Sequence, residues 1–297
     1  MILVTGANGF IGTHVVRRLH ETGVGPIRAM VRSRSNARIP DGVDVVEADL
    51  TRPQSLGPAV AGVEAIVHAA AITANLKEPY PGAYDAINRG GTGNLVAAAR
   101  AAGVTRMVVM SGLGTKPAPK GTYMATRWGL EEAVRSSGIP YVILQPSVLF
   151  GDGAEFIAAL SRLARISPVL PVLGGGSVRF QPLWVEDLVS CLVASLRSDA
   201  PINSAISLGG SEYATFKEVL QTICAAMSVR RLMVPLPLPI ARVQARLMAI
   251  LPNPPLTPAT LELFSFDNST DLDAVDRHFG FHPRGFREHL RAHGISG

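Results

Sequence analysis

The sequence predicts an α/β fold: a doubly wound parallel sheet followed by a smaller C-terminal α/β lobe. Three observations carry this. Short apolar runs alternate with amphipathic ones at the period of βαβ units. Three glycines, Gly6, Gly9 and Gly12, separate the first apolar run from the first amphipathic one. Residues suited to ligand contact recur at the carboxyl ends of the predicted strands, where open parallel sheets bind ligands. With 297 residues, 47% of them hydrophobic and 17% charged, the chain can bury a sizeable core and is not of a disordered class.

The first unit begins with "MILVT" at 1–5, read as a buried strand. A helix starting near Phe10 places Ile11, Val15, Val16 and Leu19 on one face. Between them runs Gly6-Ala7-Asn8-Gly9-Phe10-Ile11-Gly12. A strand, a glycine-rich turn and a helix N-terminus make an anion site, because free backbone N–H groups and the positive dipole end converge there. Gly6 serves the tight turn, Gly9 close approach of a pyrophosphate, and Gly12 packing of helix on strand. This predicts a dinucleotide site of Rossmann type.

Ile27 to Val31 reads as the second strand. An NAD site usually places a carboxylate about twenty residues past the glycines, to hold the ribose 2′-OH. Here stand Arg32, Ser33 and Arg34. A guanidinium there suits a 2′-phosphate, so the expected cofactor is NADP(H). The rhythm continues with a third strand, "VDVVEADL", ending in Asp49-Leu50, then a helix over 52–61. A fourth strand, "VEAIVHAAA", ends in the small residues Ala69, Ala70 and Ala71. A helix over 83–103 carries a glycine-rich interruption around 90–93. A fifth strand ends at Ser111, a helix begins at "TYMATRW", and "IPYVILQPSVLFG" is a sixth strand and exit.

At this point the chain resembles the short-chain dehydrogenase/reductase superfamily in its extended or atypical branch. The residues that carry the likeness are "TGANGFIG", "ADL" at 48–50, "HAAA" at 68–71, Asn88, Ser111, Tyr123 with Arg127, and "QPSVLFG" at 145–151. "FQPLWVEDL" at 180–188, "ISLGG" at 206–210 and "PLTPATLELFSFDN" at 255–268 are most similar to the group of the NDUFA9-type accessory subunit of respiratory complex I. The resemblance implies that Asp49 and Leu50 lie beside the adenine, and Ala69 to Ala71 along the ribose and nicotinamide. It implies that Tyr123 exchanges a proton with a carbonyl or alcohol, that Ser111 polarises the same oxygen, and that Pro146 to Val148 close over the nicotinamide.

The family pattern is Tyr-x-x-x-Lys, and in this chain the fifth residue is Arg127. Residues four apart share a helix face, so Tyr123 and Arg127 can act as a pair. A free phenol is a poor base near neutrality, and a fixed cation favours the phenolate. Arginine is larger and differently shaped than lysine, so cofactor binding is expected and turnover is the open question. Gln145 replaces the arginine the family often has before the proline. Trp128 and Trp184 read as core or lobe-packing residues.

Past Phe150 the rhythm loosens, giving expected domains of 1–150 for the cofactor and 151–297 for a substrate lobe, partly interleaved because "ISLGG" reads as an added strand. The apolar, proline-punctuated stretch 234–258 contains a predicted amphipathic helix, Ile240 to Leu251, with Arg242 and Arg246. Packing of that helix on the lobe is favoured over a cover for an apolar substrate or a peripheral membrane contact.

The charge is +5 and the pI about 9.6, but lysine and arginine are scattered without interleaved aromatics, so no nucleic-acid partner is expected. Cys191 and Cys224 read as buried thiols, and no metal-ligand spacing occurs. The expected setting is cytoplasmic, since neither a leader pattern nor an apolar run of membrane length is found. The expected function is an NADP(H)-dependent oxidoreductase acting on a small, fairly apolar carbonyl or alcohol. The alternatives are a non-catalytic NADPH-binding sensor or assembly module and, more weakly, a nucleotide-sugar epimerase or dehydratase, which would want NAD and a carboxylate after the second strand.

Overall fold

The computed structural model describes residues 1–197, 201–248 and 256–295. In chain order the first elements are β1 (Ile2–Thr5), α1 (Phe10–Thr22), β2 (Ile27–Val31), β3 (Asp44–Glu47), α2 (Leu56–Val60) and β4 (Ala65–His68). A π-helical segment, Asp85–Gly91, runs into α3 (Thr92–Ala101), followed by β5 (Arg106–Met110), α4 (Tyr123–Arg135), β6 (Tyr141–Pro146) and β7 (Leu149–Phe150). Then come α5 (Glu155–Ile166), β8 (Val169–Leu173), β9 (Arg179–Phe180), β10 (Leu183–Trp184), α6 (Val185–Ala194), β11 (Ser204–Leu208) and β12 (Ala214–Thr215). The remainder is α7 (Phe216–Ala226), β13 (Leu232–Leu236), α8 (Leu238–Met248), α9 (Pro258–Glu262), α10 (Ala274–Phe279) and α11 (Phe286–His293).

The main sheet has seven strands in the order β11-β6-β5-β4-β1-β2-β3, and the neighbours from β3 to β6 pair in parallel. This is the predicted doubly wound order, with the switch point between β1 and β4. The inner strands are buried on both faces, which explains their near-continuous apolar sequences: β1 and the last four residues of β5 are buried, while the edge strand β3 has no buried residue.

The chain gathers into two compact units: Met1–Ile72 with Glu78–Gln145 and Val189–Ile206, and Thr73–Lys77 with Pro146–Leu188 and Ser207–Gly297. In the first, a core of Leu3, Leu56, Ile66, Leu95, Met107, Leu130 and Ile143 fills the space between sheet and helices. The second is built on Phe150, Phe180, Phe216, Phe264 and Phe286. There Phe216 and Phe264 meet edge to face at 4.8 Å, the favoured aromatic geometry.

Three elements differ from expectation. β3 ends at Glu47 and β4 at His68, so Asp49-Leu50 and Ala69–Ala71 lie beyond the strands rather than in them. The glycine-rich stretch around 90–93 does not break its helix; it closes a π turn that continues directly into α3. Residues 249–251 of the predicted helix Ile240 to Leu251 fall outside the described residues, as does 255, the first residue of the 255–268 stretch. Cys191 and Cys224 are buried thiols outside any disulfide, and burial raises the Cys224 thiol pKa against the opposing charge of Arg231.

Candidate active site

The loop after β1 has the geometry of an anion cradle. Gly6 adopts φ +66°, and a Cβ there would come within 2.9 Å of the Ala70 backbone. A Cβ on Gly12 would overlap the Gly6 carbonyl, so the helix lies directly on the turn. Gly9 is the N-cap of α1; its N–H donates to the Gly6 carbonyl at 2.8 Å. No side chain caps this helix, and no acidic residue stands in its first turn. The donors left to face an anion are therefore the first-turn amides of Phe10, Ile11 and Gly12. Asn8 accepts from the Arg38 N–H at 3.2 Å, which ties the cradle to the loop after β2. This set of uncapped amides could hold a diphosphate, with Gly6, Gly9 and Gly12 adding no Cβ to the turn.

At the ends of β2 and β3, Arg32 is exposed and makes no hydrogen bond among the described residues. Ser33 pairs with Ser35 at 2.9 Å. Arg34 is held by β3: its amide donates to Glu47 Oε1 at 2.6 Å and its guanidinium donates to the Val45 carbonyl. Of the two predicted arginines, Arg32 is thus left to meet a ligand. Partial burial opposes ionisation of Asp49. Bonds from the Thr51 amide and hydroxyl, at 2.8 and 2.7 Å, and the charges of Arg52 and Arg32 nonetheless hold its carboxyl below the usual range.

A buried polar chain runs beneath the end of β4. His68 Nε2 lies 2.9 Å from Thr92 Oγ1, which itself donates to the Asn88 carbonyl at 2.6 Å. Thr92 must then accept from His68, which leaves Nδ1 to accept from Thr5 Oγ1 at 2.7 Å. The ring is neutral: burial, helped by the charge of Arg127, lowers its pKa to about 4. Asn88, on the π segment, pairs with both backbone groups of Ile72 (2.8 and 3.0 Å) and donates to Thr126 Oγ1 at 3.3 Å. π turns are frequent at functional sites, and this one aims the amide at the strand-end loop and at α4 together.

Helix α4 starts with Thr122 as N-cap, its hydroxyl accepting from Ala125 N at 3.2 Å. That cap puts Tyr123 at the first helical position, buried, with its ring edge-on to Tyr84 at 5.2 Å. One turn on, Arg127 is only 6% exposed. Its Nη2 donates to the Met110 carbonyl at 3.3 Å, and no carboxylate pairs with it among the described residues. One further turn on, Glu131 is fully buried. Its Oε1 accepts from Ser111 Oγ and, at 2.8 Å, from Gln145 Nε2, while Oε2 accepts from Arg135 at 2.7 Å. Ser111 was expected to turn its proton toward a substrate oxygen; the stronger acceptor, a buried carboxylate, takes it. Gln145, in the arginine position of the family pattern, keeps a hydrogen bond to Glu131, and Arg135 supplies the balancing charge from the same helix.

The family model for NAD(P)H-binding matches residues 6–162, which contain every residue just described except Thr5. The chain belongs to that family. It is an NAD(P)H-binding protein whose fold is shared with a short-chain dehydrogenase/reductase superfamily protein. It is 31% identical to a ceramide reductase of Caulobacter vibrioides, over 80% of this chain and 74% of the relative. It is 27% identical to a 2-alkyl-3-oxoalkanoate reductase of Stenotrophomonas maltophilia, over 95% and 94%. It is 25% identical to the mitochondrial NADH dehydrogenase [ubiquinone] 1 alpha subcomplex subunit 9 of Arabidopsis thaliana, over 82% and 61%. Among solved structures, a short-chain dehydrogenase/reductase superfamily protein from Agrobacterium tumefaciens with bound NAD shares the fold at TM-score 0.72 and 21% identity, covering 99% of this chain and 95% of that one.

For this NAD(P)-binding protein, the sequence reading missed Glu131, His68, Thr5 and Thr92. Glu131 had a signal: Tyr123, Arg127, Glu131 and Arg135 recur every four residues, one row along a helix. The His68 chain had none, because its partners come from β1 and α3, far apart in sequence. Pro146, the last residue of β6, is buried and Val148 beyond it half-buried; both belong to the second unit. Trp128 and Trp184 each lie under a guanidinium, of Arg135 at 4.9 Å and Arg284 at 3.9 Å. No group of His, Cys, Asp or Glu among the described residues could hold a metal.

Proposed function

We propose that this protein is an NADP(H)-dependent oxidoreductase that reduces a ketone on a small, fairly apolar molecule, or oxidises the matching alcohol. The observation that carries the reading is Arg127, a buried cation without a carboxylate partner, one helical turn from Tyr123. Burying a charge costs several kcal/mol unless something compensates it, so a lone guanidinium is more readily explained by a ligand than by stability. The first two relatives support the reaction class: both are named reductases, of ceramide and of an alkyl-oxoalkanoate.

In this reading the amides of Phe10, Ile11 and Gly12, with Gly6, Asn8 and Gly9 shaping the cradle, hold the diphosphate. Arg32 and Ser33 take the 2′-phosphate, Asp49 and Leu50 border the adenine, and Ala69, Ala70 and Ala71 line the ribose path. The bound cofactor supplies or accepts the hydride. Tyr123 gives its phenolic proton to the carbonyl oxygen as the alcohol forms. Arg127 holds the ribose hydroxyls beside it. Ser111 supports the same oxygen once its hydroxyl swings from Glu131. Residues 151–297 select the substrate.

The test is NADPH oxidation with a panel of alkyl ketones and 3-oxoalkanoates. Tyr123→Phe should lose nearly all turnover while keeping cofactor affinity; Arg127→Lys should keep part, and Arg127→Ala little. Wild-type turnover in Tyr123→Phe would remove the proton-donor role. The second reading, a cofactor-binding module without turnover, is favoured by one observation, arginine at the lysine position. In that case Tyr123→Phe changes nothing, and Arg127→Ala weakens only NADPH binding.

A further inference from the structure

Helix α8 presents the wrong face to solvent for an ordinary packing helix. Its inner side carries Leu238, half-buried against the second unit's core, and Ala241 and Ala245, both fully buried in it. Three larger apolar residues point outward, with Ile240, Val243 and Leu247 51, 56 and 69% exposed. The spacing i, i+3, i+7 makes them one stripe along the helix. Arg242, Gln244 and Arg246 are exposed between them. β13, which leads into α8, adds exposed Leu232 and Val234, the first opposite exposed Val169 of β8.

Charge decides what this face would accept. From Val219 to Leu261 the sequence has no acidic residue and four arginines, Arg230, Arg231, Arg242 and Arg246. Arg231 is used internally, donating to the Ala164 carbonyl at 2.6 Å, while Arg230, Arg242 and Arg246 are exposed. Two copies meeting through this face would set arginine rows against each other with no carboxylate between them in a drying interface, which is costly. A surface of anionic lipid headgroups supplies both missing partners: acyl chains for the stripe and phosphates for the arginines. No described helix is long and apolar enough to cross a membrane, so the contact would be in the interfacial plane.

We propose that α8 is a peripheral docking helix for an anionic lipid bilayer, with Ile240, Val243 and Leu247 inserted and Arg242 and Arg246 on the headgroups. This stands apart from the reaction proposed above and needs no turnover to be tested. The purified full chain is floated with phosphatidylcholine vesicles, with and without about one-third phosphatidylglycerol. Wild type should float with the anionic vesicles and much less with the neutral ones. The exposed triple variant Ile240→Ser, Val243→Ser, Leu247→Ser should bind on the order of a hundredfold more weakly at unchanged circular dichroism. Arg242→Gln with Arg246→Gln should cut the preference for anionic vesicles by about fivefold per arginine. Failure of wild type to float, or wild-type flotation by the triple variant, overturns the proposal. So does a wild-type dimer, unbound to vesicles, that the triple variant converts to monomer, because the stripe would then be a self-interface.

Discussion

Arg32 and His68 show what single side chains contribute at two strand ends. Arg32 is exposed and makes no hydrogen bond among the described residues, while its neighbour Arg34 is bound to β3, so in the proposed reading cofactor choice rests on Arg32. NADPH should bind wild type more tightly than NADH, and Arg32→Ala should cost about 1.5–3 kcal/mol of NADPH affinity, roughly ten- to more than hundredfold, with NADH unaffected. Calorimetric titration of both cofactors decides it; equal wild-type affinities would end the assignment. His68 governs acid stability instead. Its folded pKa of about 4 lies below the ordinary 6.5, so the unfolded chain binds the proton first. The stabilisation is complete above pH 6.5, falls as pH drops through that window, and is gone below about pH 4. That range corresponds to about 3 kcal/mol for this residue. Urea unfolding from pH 7 to 4 should show a clearly steeper loss for wild type than for His68→Gln; parallel curves would mean that the ring is not held neutral.

At the scale of elements, the β1–α1 turn and helix α4 carry most of the proposed chemistry. Gly9→Val adds a branched side chain at an N-cap where even a Cβ would lie 3.1 Å from the Gly6 carbonyl oxygen, beside the amides proposed to hold the diphosphate. It should abolish dinucleotide binding with the far-ultraviolet circular dichroism retained. Normal NADPH binding by that variant would place the phosphates elsewhere. The turn was legible because glycine spacing, strand and helix all lie within the first 22 residues. So were β2, read over Ile27 to Val31, and the start of α4, read at "TYMATRW", which agree with the observed limits; that Thr122 is the cap comes from the structure. Ser111 was legible as a strand-end residue, but not the direction of its proton, which Glu131 sets from another element. The α8 helix was legible as amphipathic, but not which way its faces turn; only the packed structure shows that Leu238, Ala241 and Ala245 turn inward while Ile240, Val243 and Leu247 turn outward.

For the whole molecule, the strand order carries a meaning beyond the place of the ligand. Reading outward from β1, β2 and then β3 extend one flank, while β4, β5, β6 and finally β11 extend the other. Each strand, as the ribosome delivers it, pairs with a neighbour already made, so the sheet can grow from its centre in the order of synthesis. The last addition is delayed. β6 ends at Pro146 and β11 at Leu208, about 60 residues later, or about 3–12 s of elongation at ordinary rates of 5–20 residues per second. During that interval β6, buried along nearly its whole length in the finished fold, is an open hydrophobic edge. Chains stopped before Ser204 should therefore aggregate when released from a cell-free translation system, while chains carried through the second unit stay soluble. Equal solubility would mean that the nascent edge finds cover elsewhere. A cell making this protein would then need a chaperone most in that window, and slow codons between β6 and β11 would lengthen the exposure without changing one residue of the product.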